Sequence, residues 1–264
     1  MKFLNRFRLS EPARKYIMYA IYIIFTVYTL YKLVLEPSAE GKVAYLILLL
    51  FFMGAALWAE YLRYLYQHMI ASLTMECDHA KARHYYNLLK KKDILKNYKN
   101  PLYIFDTLYY QDINQPDTCL SILEDHDNMF RSSLDYLLIR NYTYFFSNYR
   151  KGNRTQVKKY YQEVIKVRGA KIKGTKVNPL YSWEFIDALY YLSTKDYKKS
   201  LHCFHDVHTQ NFNHRELSQF YLEYARAYIA VEDHKNARQM LEKVLQLSNQ
   251  LTYKKEALKL LEKI

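Results

Sequence analysis

Two long apolar stretches near the N-terminus constrain this chain more than any other feature. They cover residues 16–35 and 43–59, and only residues 36–42 separate them. Twenty residues of α-helix extend about 30 Å, which matches the hydrocarbon thickness of a bilayer. A connection this short leaves room only for an antiparallel pair. The sequence therefore predicts a transmembrane helical hairpin over residues 16–59, preceded by a basic tail at 1–15.

The basic residues that flank the two stretches predict the orientation of the hairpin. Five of them precede the first stretch, whereas the connecting loop carries only Lys42, with Lys32 at the end of the first stretch. Because positively charged flanks stay in the cytoplasm, we expect both termini on the cytoplasmic side of the cell membrane. The alternative is a cleaved secretory signal, whose apolar region has about 7–15 residues. Ser38-Ala39-Glu40 is a poor cleavage site, and a second apolar stretch follows at once.

Hydroxyl-bearing side chains form a stripe on one face of the first apolar stretch. They are Tyr19, Tyr22, Thr26 and Thr29. A polar-tipped stripe inside a bilayer faces another helix, where hydroxyl groups find partners. We expect the stripe to contact the second membrane helix, with contact to another membrane protein as the alternative. Neither stretch carries an ionisable residue at its centre, so the sequence predicts an anchor rather than an ion pathway.

Residues 60–264 show helical periodicity almost throughout. Apolar residues return at spacings of three and four, and the breaks between them are short and polar. The sequence therefore predicts an all-α protein whose cytoplasmic domain, 60–264, has about five antiparallel helix pairs and one terminal helix. The predicted helices are 60–76, 79–92, 101–111, 116–125, 131–149, 154–168, 180–194, 197–209, 215–231, 234–248 and 252–263.

One predicted helix pair, within residues 219–249, carries rings and small residues at fixed offsets. The positions are Tyr221, Ala225, Tyr228, Ala237, Leu241 and Val244. With them the segment resembles a tetratricopeptide repeat, although that family's glycine is Ala225 here and its closing proline is Asn249. The resemblance implies a TPR-like α-solenoid, in which small residues let paired helices cross closely. Because helical solenoids host many tasks, this resemblance implies binding without naming a partner.

Weaker copies of the same pattern lie earlier in the chain. The first copy lies 37 residues upstream, and a second lies further towards the N-terminus. The implied spacings of 37–43 residues exceed the family's length of about 34, so we expect degenerate repeats or long turns. The residues of these copies are Tyr191, Ser200, Phe204 and Val207, and Tyr103, Tyr110, Cys119 and Leu123.

The excess charge of the cytoplasmic domain is concentrated in one basic segment, residues 150–176. The whole chain has a net charge of +13, and this segment alone holds ten basic residues and one acid, Glu163. We expect an anionic lipid surface as its first partner, an acidic protein as the second and nucleic acid as the third. A solvated helix face is the remaining interpretation. The basic residues are Arg150, Lys151, Arg154, Lys158, Lys159, Lys166, Arg168, Lys171, Lys173 and Lys176.

The sequence predicts no catalytic residue, no metal site and no cofactor. Five glycines leave no phosphate-binding loop and no nucleophile elbow. The three cysteines are far apart, and the histidines at 202, 205 and 208 fan around their helix, so neither set has the spacing of metal ligands.

We therefore expect a membrane-anchored scaffold or adaptor and not an enzyme. Its tyrosine-rich groove would bind a protein or peptide partner, and the composition favours a bacterial envelope-assembly, secretion or transport complex. The alternative function is a peripheral module that binds anionic lipid or nucleic acid through residues 150–176.

Overall fold

A computed structural model of the chain describes residues 11–172, 175–177 and 181–264, with side chains at 16–171, 177 and 181–264. The described part is all-α apart from two very short strands. It divides into two compact units, of which the first ends at Tyr64 and the second is Leu65–Ile264, called the helical domain below. The helices are α1 (Glu11–Leu35), α2 (Ala39–Thr74), α3 (His79–Lys92), α4 (Lys99–Asp112), α5 (Pro116–Asp125), α6 (Asp127–Phe130), α7 (Leu134–Arg150), α8 (Arg154–Ile165), α9 (Trp183–Ser193), α10 (Tyr197–His205), α11 (His214–Ala230), α12 (His234–Leu247) and α13 (Thr252–Leu261).

The two predicted apolar helices are present as α1 and the first part of α2. By length and composition both can cross a membrane, and only 6% of either apolar window is buried in the protein. Ser38 starts α2, because its Oγ accepts the backbone N–H of Gly41 at 3.1 Å. The same hydroxyl donates to the carboxylate of Glu36 at 2.8 Å, which closes the short connection between the helices. Helix α2 then continues without a break to Thr74.

The remaining helices lie close to the predicted positions, with boundaries that differ by four residues or fewer. Two features were not predicted. Helix α6 forms a single extra turn, and residues predicted as loop form an antiparallel pair of strands, β1 (Lys171–Ile172) and β2 (Thr175–Lys176). Helix α8 also ends earlier than predicted, and Gly169 follows it with a φ of +78°, which only glycine adopts without steric cost.

Short polar side chains start most helices of the domain. Each accepts a hydrogen bond from a backbone N–H in the first helical turn, which satisfies a donor that the helix itself leaves unpaired. At α11 the bond is reciprocal, since Glu216 accepts the backbone N–H of Asn213 in turn. These capping residues are Asp78, Ser133, Asn153, Ser182, Asp196, Asn213 and Asp233.

Four helix pairs are joined by three-residue turns of one geometry. The middle residue of each turn has a φ between +57° and +71°, and the N–H of the next residue bonds the carbonyl five positions earlier at 2.8–3.0 Å. A left-handed residue after the helix directs the chain back antiparallel and satisfies free carbonyl groups. The pairs are α4 with α5, α7 with α8, α9 with α10, and α11 with α12, and the middle residues are Asn114, Gly152, Lys195 and Glu232.

A small or β-branched buried residue stands four positions after each of these turns. These residues are 0–1% exposed, so the second helix of each pair approaches the first closely at this point. In two pairs the side chain bonds the first helix directly. Ser200 Oγ donates to the carbonyl of Ala188 at 2.8 Å, and Cys119 Sγ donates to that of Thr107 at 3.4 Å. The four positions are Cys119, Val157, Ser200 and Ala237.

Aromatic rings fill the centre of the helical domain. Phe185 on α9 is completely buried, and its ring centroid lies 5.7–6.4 Å from the rings of Tyr181, Phe204, Phe212 and Phe220. These rings come from α9, α10, α11 and the segments before α9 and α11, so one cluster joins consecutive helix pairs. Edge and tilted contacts of this kind favour aromatic pairs beyond the area that they bury.

A buried ion pair joins distant parts of the same domain. Arg215 Nε at the start of α11 lies 2.6 Å from Asp112 Oδ2 at the end of α4, and both side chains are almost completely buried. Arg215 also donates to the hydroxyl of Tyr181 at 2.9 Å, while Tyr253 donates to Asp112 at 3.2 Å. Burial alone would lower the pKa of Arg215, but the carboxylate of Asp112 outweighs it and raises that pKa.

Candidate functional site

A cleft of about 490 Å³ lies among α7, α9, α11 and α13 of the helical domain. Most of its walls are charged or polar, and the side chain of Leu192 contributes an apolar part. We call it the charged cleft. Its polar lining consists of Asn114, Tyr149, Arg150, Arg226, Thr252, Lys255, Glu256 and Lys259.

Two arginines and two glutamates form a closed network at the base of the charged cleft. Arg226 Nη1 lies 3.1 Å from Glu223 Oε1, and Arg150 Nη1 lies 3.5 Å from the same oxygen. Both guanidinium groups also donate to the carboxylate of Glu256. The hydroxyl of Tyr149 donates to Glu223 at 2.5 Å. The four charges cancel, so the base of the cleft carries no net charge.

Part of this network is removed from water, whereas the side chains of Arg226 and Glu256 keep 30% and 17% exposure. The side chain of Glu223 is 0% exposed and that of Arg150 is 8% exposed. Burial alone would lower the pKa of Arg150 and Arg226, but Glu223 and Glu256 outweigh it and raise both values. Burial and the nearby Glu223 carboxylate raise the pKa of Tyr149, so its hydroxyl stays protonated and serves as a donor. The arginines are therefore charged at neutral pH.

Two lysines at the rim of the charged cleft carry its uncompensated charge. Lys255 and Lys259 are one turn apart on α13, and both are exposed. Among the residues that the structure describes, neither has a carboxylate within ion-pair distance. Asn114 lies opposite, with its side-chain oxygen held by Arg150 at 2.9 Å. An anionic group entering the cleft would thus meet two free ammonium groups over a neutral base.

The basic segment divides into paired and free residues. Arg150 belongs to the network of the charged cleft, and Arg168 lies 2.6 Å from Asp187 and over the ring of Trp183. Lys151 pairs with Asp117, and Lys166 lies 2.5 Å from Glu163. Four of the ten basic residues of the segment therefore form ion pairs with carboxylates of the same domain.

The other cations of the basic segment are exposed or lie outside the described side chains. Arg154, Lys158 and Lys159 are exposed on α8, and Lys171 is exposed in β1. The side chain of Lys176 and the whole of Lys173 lie outside the described part of the structure. Among the described side chains of the basic segment, three cations without an ion-pair partner lie on α8 and one lies in β1.

One residue of the hydroxyl stripe on the first apolar helix contacts a ring of the second. The ring of Tyr22 contacts that of Phe52 edge-on at 6.1 Å. Thr29 is buried, and its hydroxyl donates to the carbonyl of Phe25 on its own helix at 2.8 Å. Thr26 is half-buried, whereas Tyr19 is exposed near the ring of Tyr22.

The predicted repeat-packing positions of α11 and α12 lie inside the domain. Ala225, Ala237, Leu241 and Val244 are completely buried. The two tyrosines of the pattern, at positions 221 and 228, are half-buried, and the ring of the second stacks on Tyr224 at 4.7 Å.

The residues of the charged cleft that were not predicted from the sequence lie on α11 and α13, far along the chain from Arg150. Glu223, Arg226, Lys255, Glu256 and Lys259 were not predicted as site residues. One signal was present, because Glu223 stands between apolar neighbours on a face of α11 that is otherwise buried. An acid at such a position requires a buried cation as its partner.

No known family, no curated protein and no solved structure matches this chain. Within the described residues, no group of three or more histidine, cysteine, aspartate or glutamate side chains is placed to hold a metal ion. His202 and His205 lie in solvent on α10.

Proposed function

We propose that this protein is a membrane-anchored adaptor whose helical domain binds an acidic segment of a protein partner in the charged cleft. The observation that carries this proposal is the pair of free lysines, Lys255 and Lys259, above a network whose own charges cancel. The carboxylates of the network are already paired with arginines and do not neutralise the two lysines. The charge of the lysines is therefore available to a ligand.

An acidic peptide fits the cleft better than a small metabolite does. The cleft is open to solvent, and its lining offers an apolar side chain, Leu192, beside hydrogen-bonding groups. Opposite charges across an interface determine partner choice and association rate more than affinity. We therefore infer that aspartate or glutamate side chains of the partner contact the two lysines, while its apolar side chains lie against Leu192.

We further propose that the helical domain is an array of degenerate TPR-like repeats. The support is the shared turn geometry and the buried residue four positions after each turn. Cys77, in the turn before α3, also has a positive φ. Ala82, four positions after the end of that turn, is buried. The left-handed positions at 77, 114, 152, 195 and 232 then mark five helix pairs, with α13 as the terminal helix. Such arrays present extended surfaces to peptide partners.

Charge reversal at the rim tests the binding proposal. The full-length protein in detergent is mixed with a fluorescein-labelled glutamate-rich peptide, and binding is followed by fluorescence polarisation. We expect the variant Lys255→Glu with Lys259→Glu to bind at least about tenfold more weakly than the native chain, because two attractive contacts become repulsive.

The control variant places the same change in charge on another helix. Lys235→Glu with Lys243→Glu alters two exposed lysines of α12, outside the charged cleft. We expect this variant to bind the glutamate-rich peptide almost as well as the native chain. Neither the variant nor the native chain is expected to bind a peptide with glutamine in place of each glutamate. If both double variants lose affinity equally, the domain attracts acidic peptides only through its net charge, and the cleft proposal is wrong.

We propose that α1 and α2 hold the domain at the cytoplasmic face of the membrane. The support is their length, their exposed apolar surface and the excess of basic residues before residue 16. In intact cells, Ser38→Cys in the connecting loop is expected to react with a membrane-impermeant maleimide. A cysteine added after Ile264 is expected to react only after lysis. Labelling of the C-terminal cysteine in intact cells would contradict this topology.

A further inference from the structure

The loop between α3 and α4 exposes two large aliphatic side chains side by side. Ile94 is 75% exposed and Leu95 is 77% exposed, more than any other large apolar residue described in the helical domain. Contiguous apolar side chains in water are unfavourable, and where they persist they mark a surface that is covered in the working protein.

The backbone of this loop is held in one conformation. Asp93 is buried, and its carboxylate accepts the backbone N–H groups of Asn97 at 3.0 Å and Tyr98 at 2.7 Å. Lys96 has a φ of +56°, and its N–H donates to the carbonyl of Asp93 at 3.1 Å. The two aliphatic side chains are therefore presented outward by a fixed turn, rather than being exposed in a loose segment.

Five lysines lie within four positions of the two aliphatic residues in the sequence. Lys90, Lys91, Lys96 and Lys99 are exposed, and Lys92 is half-exposed. None of the five has a carboxylate within ion-pair distance among the described residues. The only acid in residues 90–99 is Asp93, which is turned inward to bond the backbone. The loop thus combines an apolar tip with a rim of uncompensated positive charge.

We propose that the loop of residues 90–99 inserts Ile94 and Leu95 into the surface of an anionic lipid bilayer. Burial of the aliphatic tip in the acyl boundary and attraction of the lysines to anionic headgroups act together, and two weak signals are enough for stable membrane contact. The exposed tip formed by Ile94 and Leu95 has no ring and no hydrogen-bonding side chain of the kind that anchors protein interfaces, which favours lipid as the occupant.

This inference does not involve the charged cleft, but it takes from the proposed function that α1 and α2 insert in the membrane. The test uses the full chain in lipid nanodiscs. Asn97→Cys places a fluorescent nitrobenzoxadiazole label beside the tip and leaves both aliphatic residues intact. Cys203, the one cysteine of the three that is not buried, is changed to serine. Co-elution of the chain with the discs reports on the anchor, and the label reports on the loop.

We expect a blue-shifted emission and quenching by spin-labelled lipid in discs with about 30% phosphatidylserine, and neither effect in neutral discs. Ile94→Ser with Leu95→Ser is expected to abolish both effects. Neutralising the loop at Lys90, Lys91, Lys96 and Lys99 with glutamine is expected to abolish the difference between anionic and neutral discs. If the chain does not enter discs, the same label is read with added vesicles of the same lipids.

The matched control neutralises four cations of the basic segment, Arg154, Lys158, Lys159 and Lys171, and is expected to leave the signal at position 97 unchanged. Three results would overturn the proposal. The first is a water-like emission in anionic discs. The second is loss of the emission shift in the control variant but not in the loop variant. The third is a blue-shifted emission that appears only when a protein partner is added.

Discussion

Replacing Arg215 with methionine is expected to lower the free energy of unfolding of the helical domain by about 3–5 kcal/mol. The substitution removes one member of a buried ion pair and leaves the carboxylate of Asp112 in the interior without a countercharge. The hydroxyl of Tyr181 loses its donor at the same time. Urea unfolding of the detergent-solubilised chain, followed by Trp183 fluorescence in a Trp58→Phe background, measures the change.

A double variant separates the cost of the lone charge from the value of the pair. Asp112→Leu combined with Arg215→Met is expected to recover most of the lost stability, because a buried pair replaced by apolar side chains is often neutral. Lys199→Met, which breaks an exposed pair with Asp196, is expected to leave the unfolding curve nearly unchanged. A single variant no less stable than the double variant would show that Asp112 is not held as an ion in the folded domain.

The helices of the domain could be predicted from the sequence because their signals are local. Asp196 and Asp233 start helices by bonding the first turn, and Gly152 and Asn114 supply the left-handed residue that ends the preceding helix. Each signal lies within a few residues of the structure that it determines. The hairpin of β1 and β2 was missed because each strand has only two residues, too few to show alternation.

The charged cleft could not be predicted because its contacts are non-local. Arg150 and Glu223 are 73 residues apart, and Arg150 and Glu256 are 106 residues apart. In the sequence, Arg150 and Arg168 belong to a segment with excess positive charge. In the structure, both are paired with carboxylates of other helices. A local excess of charge gives the number of cations in a segment. Only the fold determines which of those cations have no ion-pair partner.

The tyrosine content illustrates the same difference between composition and placement. The chain has 29 tyrosines, and a groove for a partner was predicted from their number. Some of them pack inside the domain, and the predicted groove stays a prediction. Tyr142 and Tyr181 are buried against each other at 4.5 Å, and Tyr161 and Tyr190 stack at 3.8 Å. Interior tyrosines place their hydroxyls on buried polar groups, as Tyr253 does on Asp112.

Replacing Phe185 with alanine is expected to cost the domain about 3–5 kcal/mol. The ring is completely buried, and it lies between Tyr181, Phe204 and Phe220, which belong to different elements. Those elements are held elsewhere by their own turns and caps, so they cannot close the cavity that the ring leaves. The cavity therefore stays open, and its cost adds to the lost transfer free energy. The same urea unfolding in the Trp58→Phe background measures the change.

Phe212→Ala in the same cluster is the matched control. Its ring is half-buried, so the substitution removes less surface from the interior, and water can occupy the space that remains. We expect a loss of about 1–2 kcal/mol from this variant. Equal losses at the two positions would mean that Phe185 packs no more tightly than a ring at the surface. The consecutive helix pairs would then not share one continuous core. It would then be wrong to describe the domain as an array stabilised by contacts between neighbouring repeats.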